Sequence, residues 1–150
     1  MPDSRIVKVH KKIVELISVN FAAGYSGFDM TGRVIRGSTI DPPYQPFSSV
    51  QFEQAISNYG PTLDRYFFNG VYNIYAFVGG STLDERFDNA TNLASDMIEA
   101  LTTNRQLGLP GEVDDVLCSF TAIDGAKYGL DNMGISYINV TVKCVTSTGA

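Results

Sequence analysis

The segment YNIYAFVGGSTLDERF, residues 72–87, contains the residue types of a phosphate-binding turn: an apolar strand, two glycines, Ser-Thr and the start of a helix. A phosphate loop of the G-x-x-x-x-G-K-S/T type also needs its lysine, which supplies the counter-charge. Here the glycines are followed by three carboxylates that would repel a phosphate, those of Asp84, Glu85 and Asp88. The same carboxylates and the Ser-Thr pair favour a helix N-terminus, where side-chain oxygens cap free N–H groups. The segment therefore predicts a strand-to-helix corner and not a nucleotide site.

Residues for other chemistry are few. His10 is the single histidine and lies among lysines, so a Ser-His-Asp arrangement would have to recruit it. The sequence has no His pair, Cys-x-x-Cys motif or Cys/His cluster that would predict a metal site. Asp114 and Asp115 are adjacent and could hold a cation, although such pairs are usually solvated. The sequence predicts no catalytic residue, no metal and no cofactor, and a protein that is not an enzyme.

Length and composition fit one globular domain over residues 1–150, with 44% hydrophobic residues. The net charge of −5 and the pI of about 4.7 argue against a protein whose main task is to bind nucleic acid. Two cysteines, Cys118 and Cys144, suit a reducing compartment. Glu15 and Asn20 interrupt the signal-like stretch near the N-terminus, and no apolar run is long enough to span a membrane. We expect a soluble protein made in a cytoplasm.

The charge is unevenly distributed. Residues 1–20 contain four basic and two acidic residues, so the remaining residues carry a net −7. A solvated helix face explains such a split. The alternative is a basic surface that contacts an acidic surface of a neighbouring copy, because complementary charge steers association. Three lysines are therefore the candidate subunit interface: Lys8, Lys11 and Lys12.

Two amphipathic helices are predicted from apolar residues at helical spacing. The first covers about residues 4–22 and is followed by Gly24. The second follows the acidic corner, and its apolar stripe comprises Leu83, Phe87, Ala90, Ala94, Met97, Ile98 and Leu101. It ends near Asn104, before the turn LGLPG.

Strands are predicted at residues 47–55, 70–79, 113–123 and 135–145, with a further short strand within the glycine- and proline-rich residues 24–46. No helix separates the members of each strand pair, so the sheet should be mostly antiparallel with both helices on one face. The predicted class is α+β: four to five strands, an N-terminal helix and a second amphipathic helix.

An aromatic segment between the first two long strands, ISNYGPTLDRYFFNG, is too long for a tight hairpin. Such a segment either folds back onto the core or contacts a partner. Its candidate contact residues are Arg65, Tyr66, Phe67 and Phe68.

This order of elements resembles that of the tail terminator, or tail completion, proteins of tailed bacteriophages. The resemblance covers most of the chain, and is closest over residues 46–145. It comprises the proline-bounded first strand, the acidic-capped helix that ends MIEALTTN, and the hairpin that ends in an alternating strand, after an N-terminal amphipathic helix. The residues 24–46 and 57–70 correspond least.

The resemblance implies a structural virion protein of the tail or neck, assembled in the cytoplasm of a bacterial host. Proteins of this family form a ring, typically of six copies, at the head-proximal end of the tail tube. The ring stops tube polymerisation and presents a surface to the head–tail connector. The implied partners are copies of the same chain, the tube protein and the connector protein. DNA passes through the lumen without specific binding, and no cofactor or membrane is involved.

Other functions remain open from the sequence. The nearest alternative is another neck component, such as a head-closure protein or a minor tail protein. A second is a small ligand-binding module that uses the aromatic segment as its pocket. An enzyme that depends on His10 is a third.

Overall fold

The computed structural model describes residues 2–37, 42–59, 65–130 and 132–147, with the backbone alone described at 58–59, 65–67, 127–128 and 145–147. The elements in chain order are α1 (Arg5–Ile17), β1 (Val34–Arg36), β2 (Phe47–Tyr59), β3 (Arg65–Gly79), α2 (Leu83–Thr102), β4 (Val113–Asp124), a single-turn 3-10 helix (Gly125–Tyr128) and β5 (Met133–Ser147). This is the α+β class that the sequence predicts.

The five strands form one sheet with the order β1-β2-β3-β5-β4. The central strand β3 pairs antiparallel with β2 and with β5, so that Ile74 lies opposite both Val50 and Ile138. β4 pairs antiparallel with β5, whereas the short β1 runs parallel to β2. The sheet is therefore mixed but mostly antiparallel. α1 packs on β1 and β2, and α2 packs on β3, β4 and β5.

Helix α1 begins after Ser4, whose hydroxyl accepts a hydrogen bond from the amide of Val7 at 3.3 Å. A Ser at this position satisfies one of the free N–H groups of the first turn. Val9, Ile13 and Ile17 lie at helical spacing and are fully buried. Helix α1 is thus held to the sheet by one apolar stripe, as its sequence predicts.

The predicted extension of this helix to residue 22 is wrong. After Ile17 the chain turns back, and two short backbone hydrogen bonds close the turn: Phe21 N to Phe28 O at 2.8 Å and Met30 N to Val19 O at 2.9 Å. Phe21 still packs against the core, but from this turn. Its spacing from Ile17 imitates the helical period, which is why the sequence overestimates the helix.

The corner between β3 and α2 has the structure predicted for it. Thr82 is the N-cap, and its Oγ1 accepts a hydrogen bond from the Glu85 amide at 3.1 Å. The Glu85 carboxylate in turn accepts one from the Ser81 hydroxyl at 2.9 Å. A Cβ on Gly80 would lie 2.8 Å from the amide nitrogen of Arg86. The glycine is therefore explained by the close approach of α2.

The aromatic segment belongs largely to the sheet, which corrects its interpretation as a long loop. β2 extends to Tyr59 and β3 begins at Arg65, so only residues 60–64 lie between the two strands. Tyr66 pairs with Tyr59 on one side and with Thr146 of β5 on the other. Aromatic residues have high strand propensity, and pairing on both sides satisfies their backbone groups. Glycine and proline at positions 60 and 61 obscured this continuity in the sequence.

The main core lies between the helices and one face of the sheet, where Tyr72 is the largest fully buried side chain. Its hydroxyl donates a hydrogen bond to the carbonyl oxygen of Ile6 at 2.8 Å. Burial raises the pKa of this tyrosine. Tyr72 therefore joins the central strand to α1 with both its ring and its hydroxyl.

The buried carboxylate of Asp96 in α2 holds the loop that follows α1. Asp96 is 4% exposed and accepts hydrogen bonds from the amides of Tyr25 (2.9 Å) and Ser26 (2.8 Å), and from the Ser26 hydroxyl (2.6 Å). A Cβ on Gly24 would lie within 2.9 Å of both carboxylate oxygens. No local pattern in the sequence indicates this contact, because its partners lie about 70 residues apart.

We expect the substitution Asp96→Ala to lower the free energy of unfolding by about 2–3 kcal/mol, because two loop amides and a hydroxyl lose a buried charged acceptor. The exposed Asp88 on the same helix is the control, and Asp88→Ala should change the free energy by less than about 0.5 kcal/mol. Urea unfolding followed by circular dichroism measures both. Equal effects of the two substitutions would show that Asp96 does not hold the loop.

Candidate interaction surfaces

Each of the three lysines proposed for a subunit interface forms an ion pair within the chain. Lys8 Nζ lies 2.8 Å from Glu112 Oε1 and Lys11 Nζ lies 2.8 Å from Asp3 Oδ2. Lys12 pairs with Glu15, one helical turn along, at 3.4 Å. The hydrogen bond from Lys11 lowers the pKa of Asp3. The lysine side chains remain between 25% and 54% exposed, so these pairs leave the surface accessible.

His10 is buried and is hydrogen-bonded within the fold. The residue is 8% exposed, and its Nε2 lies 2.8 Å from the carbonyl oxygen of Val50. Its Nδ1 lies 3.5 Å from the guanidinium of Arg36. A neutral imidazole fits both neighbours, with Nε2–H as donor and Nδ1 as acceptor. Burial lowers the pKa of His10, which favours this neutral form. Both ring nitrogens are thus engaged by the fold.

Of the candidate tube or connector contacts, Phe68 is partly buried against the main core. Arg65, Tyr66 and Phe67 belong to β3, and their side chains lie outside the described part of the structure. Residues 65–68 all lie in a paired strand, so the backbone here does not form the loop that an aromatic pocket would need.

The adjacent aspartates at the start of β4 are each paired with a cation. Asp115 accepts a hydrogen bond from Arg105 Nη2 at 2.8 Å, and this arginine lowers the pKa of the carboxyl group. Asp114 lies 3.6 Å from Lys143. Within the described ranges, no three His, Cys, Asp or Glu side chains are grouped to hold a metal ion. Both aspartates therefore have a structural explanation.

Both cysteine thiols are shielded at least in part by the fold. Cys144 is buried and Cys118 is half-buried, and neither forms a disulfide. Burial raises the pKa of each thiol to about 11. Because the thiolate is the nucleophile, both groups are poor candidates for cysteine chemistry at neutral pH.

The face of the sheet opposite the helices presents amides and aromatic rings at its centre. Asn139 Nδ2 donates to Asn73 Oδ1 and Asn73 Nδ2 donates to Glu53 Oε2, both at 3.1 Å. Next to them, the rings of Tyr75 and Tyr137 meet edge to face, with centroids 5.1 Å apart. The centre of this face therefore presents neutral amides and aromatic rings beside the carboxylate of Glu53.

The outer edge of β4 is free in the described structure, since β4 is the last strand of the sheet. Residues 116–123, VLCSFTAI, contain neither a charge nor a proline. Leu117 is 62% exposed and Phe120 is 39% exposed. Natural edge strands are usually protected by charges, prolines or bulges. Here the bulge and the aspartates lie at the start of β4, between Val113 and Asp115, and leave the rest of the edge unprotected.

In the described part of the chain, these features combine a small α+β fold with an unpaired strand edge and exposed charged side chains. No family model matches the chain, and no curated protein matches it. Among solved structures, a chain from the virion of a native gene transfer agent (GTA) particle has a similar fold. The TM-score is 0.56 over 95% of this chain and 90% of that chain, at 10% sequence identity. At this identity the likeness concerns the fold alone. No helix in the described part of this chain is both long and apolar enough to cross a membrane.

The buried neutral His10 predicts a pH-dependent stability. As the pH falls below about 6.5, the unfolded chain takes up a proton at this residue before the folded protein does. The free energy of unfolding should therefore decrease between pH 7.5 and 5.5, by at most about 1.4 kcal/mol per pH unit. The variant His10→Gln lacks this titration and should show a smaller decrease. Identical pH dependence of the two proteins in urea unfolding would contradict the assignment.

Proposed function

We propose that this chain is a structural protein of a virion, and specifically a tail terminator of a tailed bacteriophage. The observation that carries the proposal is the fold likeness to a chain of an assembled virion, which extends over 95% of this chain. The order of elements and the acidic-capped second helix support the finer assignment through their resemblance to tail terminators.

In this function the chain assembles into a ring of about six copies on the head-proximal end of the tail tube. The ring stops tube growth and contacts the connector protein. DNA passes through its lumen without being bound. The net charge of −5 is consistent with that passage, because affinity for DNA comes mainly from the neutralisation of phosphates by basic residues.

The exposed lysines of α1 are the proposed contact with the neighbouring subunit. Their partners within the chain do not oppose this role, because exposed ion pairs contribute only about 0–1 kcal/mol each and exchange readily. A neighbouring carboxylate can therefore compete for Lys8 or Lys11, whose side chains are 43% and 54% exposed.

The proposed contact with the tube or connector comprises Arg65, Tyr66, Phe67 and Phe68. These residues lie at the beginning of β3, where the strand is paired on both sides. A paired strand holds a contact surface more rigidly than a loop does. The packing of Phe68 on the core limits its own share of the contact. The joining of isolated heads to tails by a Tyr66→Ala/Phe67→Ala variant tests this surface, and unchanged joining would exclude it.

Electron microscopy of tails detached from their heads tests the function directly, with a gold-labelled copy of this chain in the particles. We expect label only at the head-proximal end of the tail. Label on heads, along the tube or at the distal tip would identify another structural component, such as a head-closure or minor tail protein. Particles without label would contradict the virion assignment.

Charge reversal on α1 should weaken ring formation. The variant Lys8→Glu/Lys11→Glu/Lys12→Glu places carboxylates beside those of Glu112, Asp3 and Glu15, at a small cost to stability because the pairs are exposed. The matched variant with three Gln substitutions removes the charge without reversing it and should have a smaller effect. Sedimentation velocity at low and high salt measures assembly, and circular dichroism verifies folding. Assembly equal to wild type at low salt would refute the contact.

A further inference from the structure

Two free strand edges lie on opposite sides of the sheet. One is the outer edge of β4 at residues 116–123, which carries neither a charge nor a proline. The other belongs to β2, since β1 pairs with β2 only from Ser48 to Val50. Beyond that point, residues 51–57 of β2 have no strand on their outer side in the described structure. Phe52 and Ile56, which lie there, are 41% and 47% exposed.

The elements beside the two free edges differ in charge, although Glu53 lies in the β2 edge itself and Glu112, next to β4, pairs with Lys8 of α1. Residues 5–36, which include α1 and β1, contain six basic and two acidic residues. Residues 83–124, which include α2 and β4, contain nine acidic and two basic residues. α1 packs on β1 and β2 and also on α2, whereas α2 packs on β3, β4 and β5, so the charge difference follows the order of the strands in part. Such complementarity favours contact between unlike sides of two copies and disfavours contact between like sides.

The strand directions fit the same contact. β2 is antiparallel to β3, β3 to β5 and β5 to β4, so β4 runs opposite to β2. If a second copy is placed beside the first with its helices on the same side, its β4 lies antiparallel to β2. Antiparallel pairing is the more stable arrangement of two strands.

We propose that copies of this chain associate through their strand edges, with residues 116–123 of β4 in one copy paired with residues 51–57 of β2 in the next. This contact joins two unlike surfaces, so a pair of copies still has one free β4 edge and one free β2 edge. Further copies can add at these edges until the chain of copies closes into a ring. It covers the edge of β4 that otherwise favours aggregation. The inference deepens the proposed ring function, and it names the strands that would form the ring.

Lysine substitutions at exposed positions test each edge separately. Leu117→Lys places an ammonium group on the β4 edge and Ile56→Lys places one on the β2 edge, where lysine is a natural protection against pairing. The two original side chains are 62% and 47% exposed, so the folded single chain should tolerate both changes. Leu83→Lys is the control, since Leu83 is 47% exposed on α2 and belongs to neither edge.

Sedimentation velocity across a range of concentrations measures association. Each edge variant alone should associate roughly 30-fold or more weakly than wild type, the loss expected at a central interface position. Leu83→Lys should associate as wild type does. An equimolar mixture of Leu117→Lys and Ile56→Lys should recover a dimer, because one partner retains an intact β2 edge and the other an intact β4 edge.

Several outcomes would overturn the inference. If Ile56→Lys associates as wild type does, β2 is not the partner, and a symmetric contact between two β4 edges or another surface is used. Unchanged association of Leu117→Lys, or a mixture that stays monomeric, would also exclude it. Hydrogen exchange of the wild-type chain is an independent check, because amides in 116–123 and 51–57 should gain protection on association. A wild-type chain that never self-associates overturns this contact, whereas the position of gold label in the particle judges the proposed function separately.

Discussion

The structure depends on the position of β3 at the centre of the sheet. This strand pairs along its length with β2 on one side and β5 on the other, so its register fixes the positions of both neighbours. Its side chain Tyr72 is fully buried and donates a hydrogen bond to the Ile6 carbonyl of α1. The strand also leads through Gly80 directly into α2. Both helices are therefore located relative to this strand, and the surfaces that they expose follow from it.

Much of this fold could be predicted because it depends on local patterns. Most of the apolar stripe of α2, its Thr82 cap and the alternation in β5 appear in the sequence within windows of one element. Two positions of the stripe were wrong, since Leu83 is 47% exposed and the fully buried Leu93 was not included. The prediction of element bounds is wrong where a residue outside an element continues its apolar spacing, or where glycine and proline lie between two paired strands. Phe21 continues the period of α1 but packs from a turn, and residues 60–61 break the apparent continuity of β2 and β3.

The contacts that the sequence could not indicate join distant residues. Asp96 lies outside the predicted apolar stripe of α2 and, judged by type alone, belongs to a solvated face, yet it binds amides about 70 residues away. His10 lies among lysines, but β2 contributes its hydrogen-bond acceptor and β1 its cationic neighbour. The lysines of α1 were identified as an exposed basic face. Their carboxylate partners include Glu112, whose position depends on the tertiary fold.

The order of strands in the sheet differs from their order in the chain, and this affects folding. β5 is the last strand in sequence, but it lies between β3 and β4. Until β5 is synthesised, β4 has no neighbour in the sheet. The face of the sheet that packs against the helices is also incomplete, because it lacks β5 next to β3. Pairing over such sequence separations is slow, because the entropy of loop closure precedes the gain from contacts. A nascent chain thus presents no ordered β4 edge until β5 has paired with both β3 and β4.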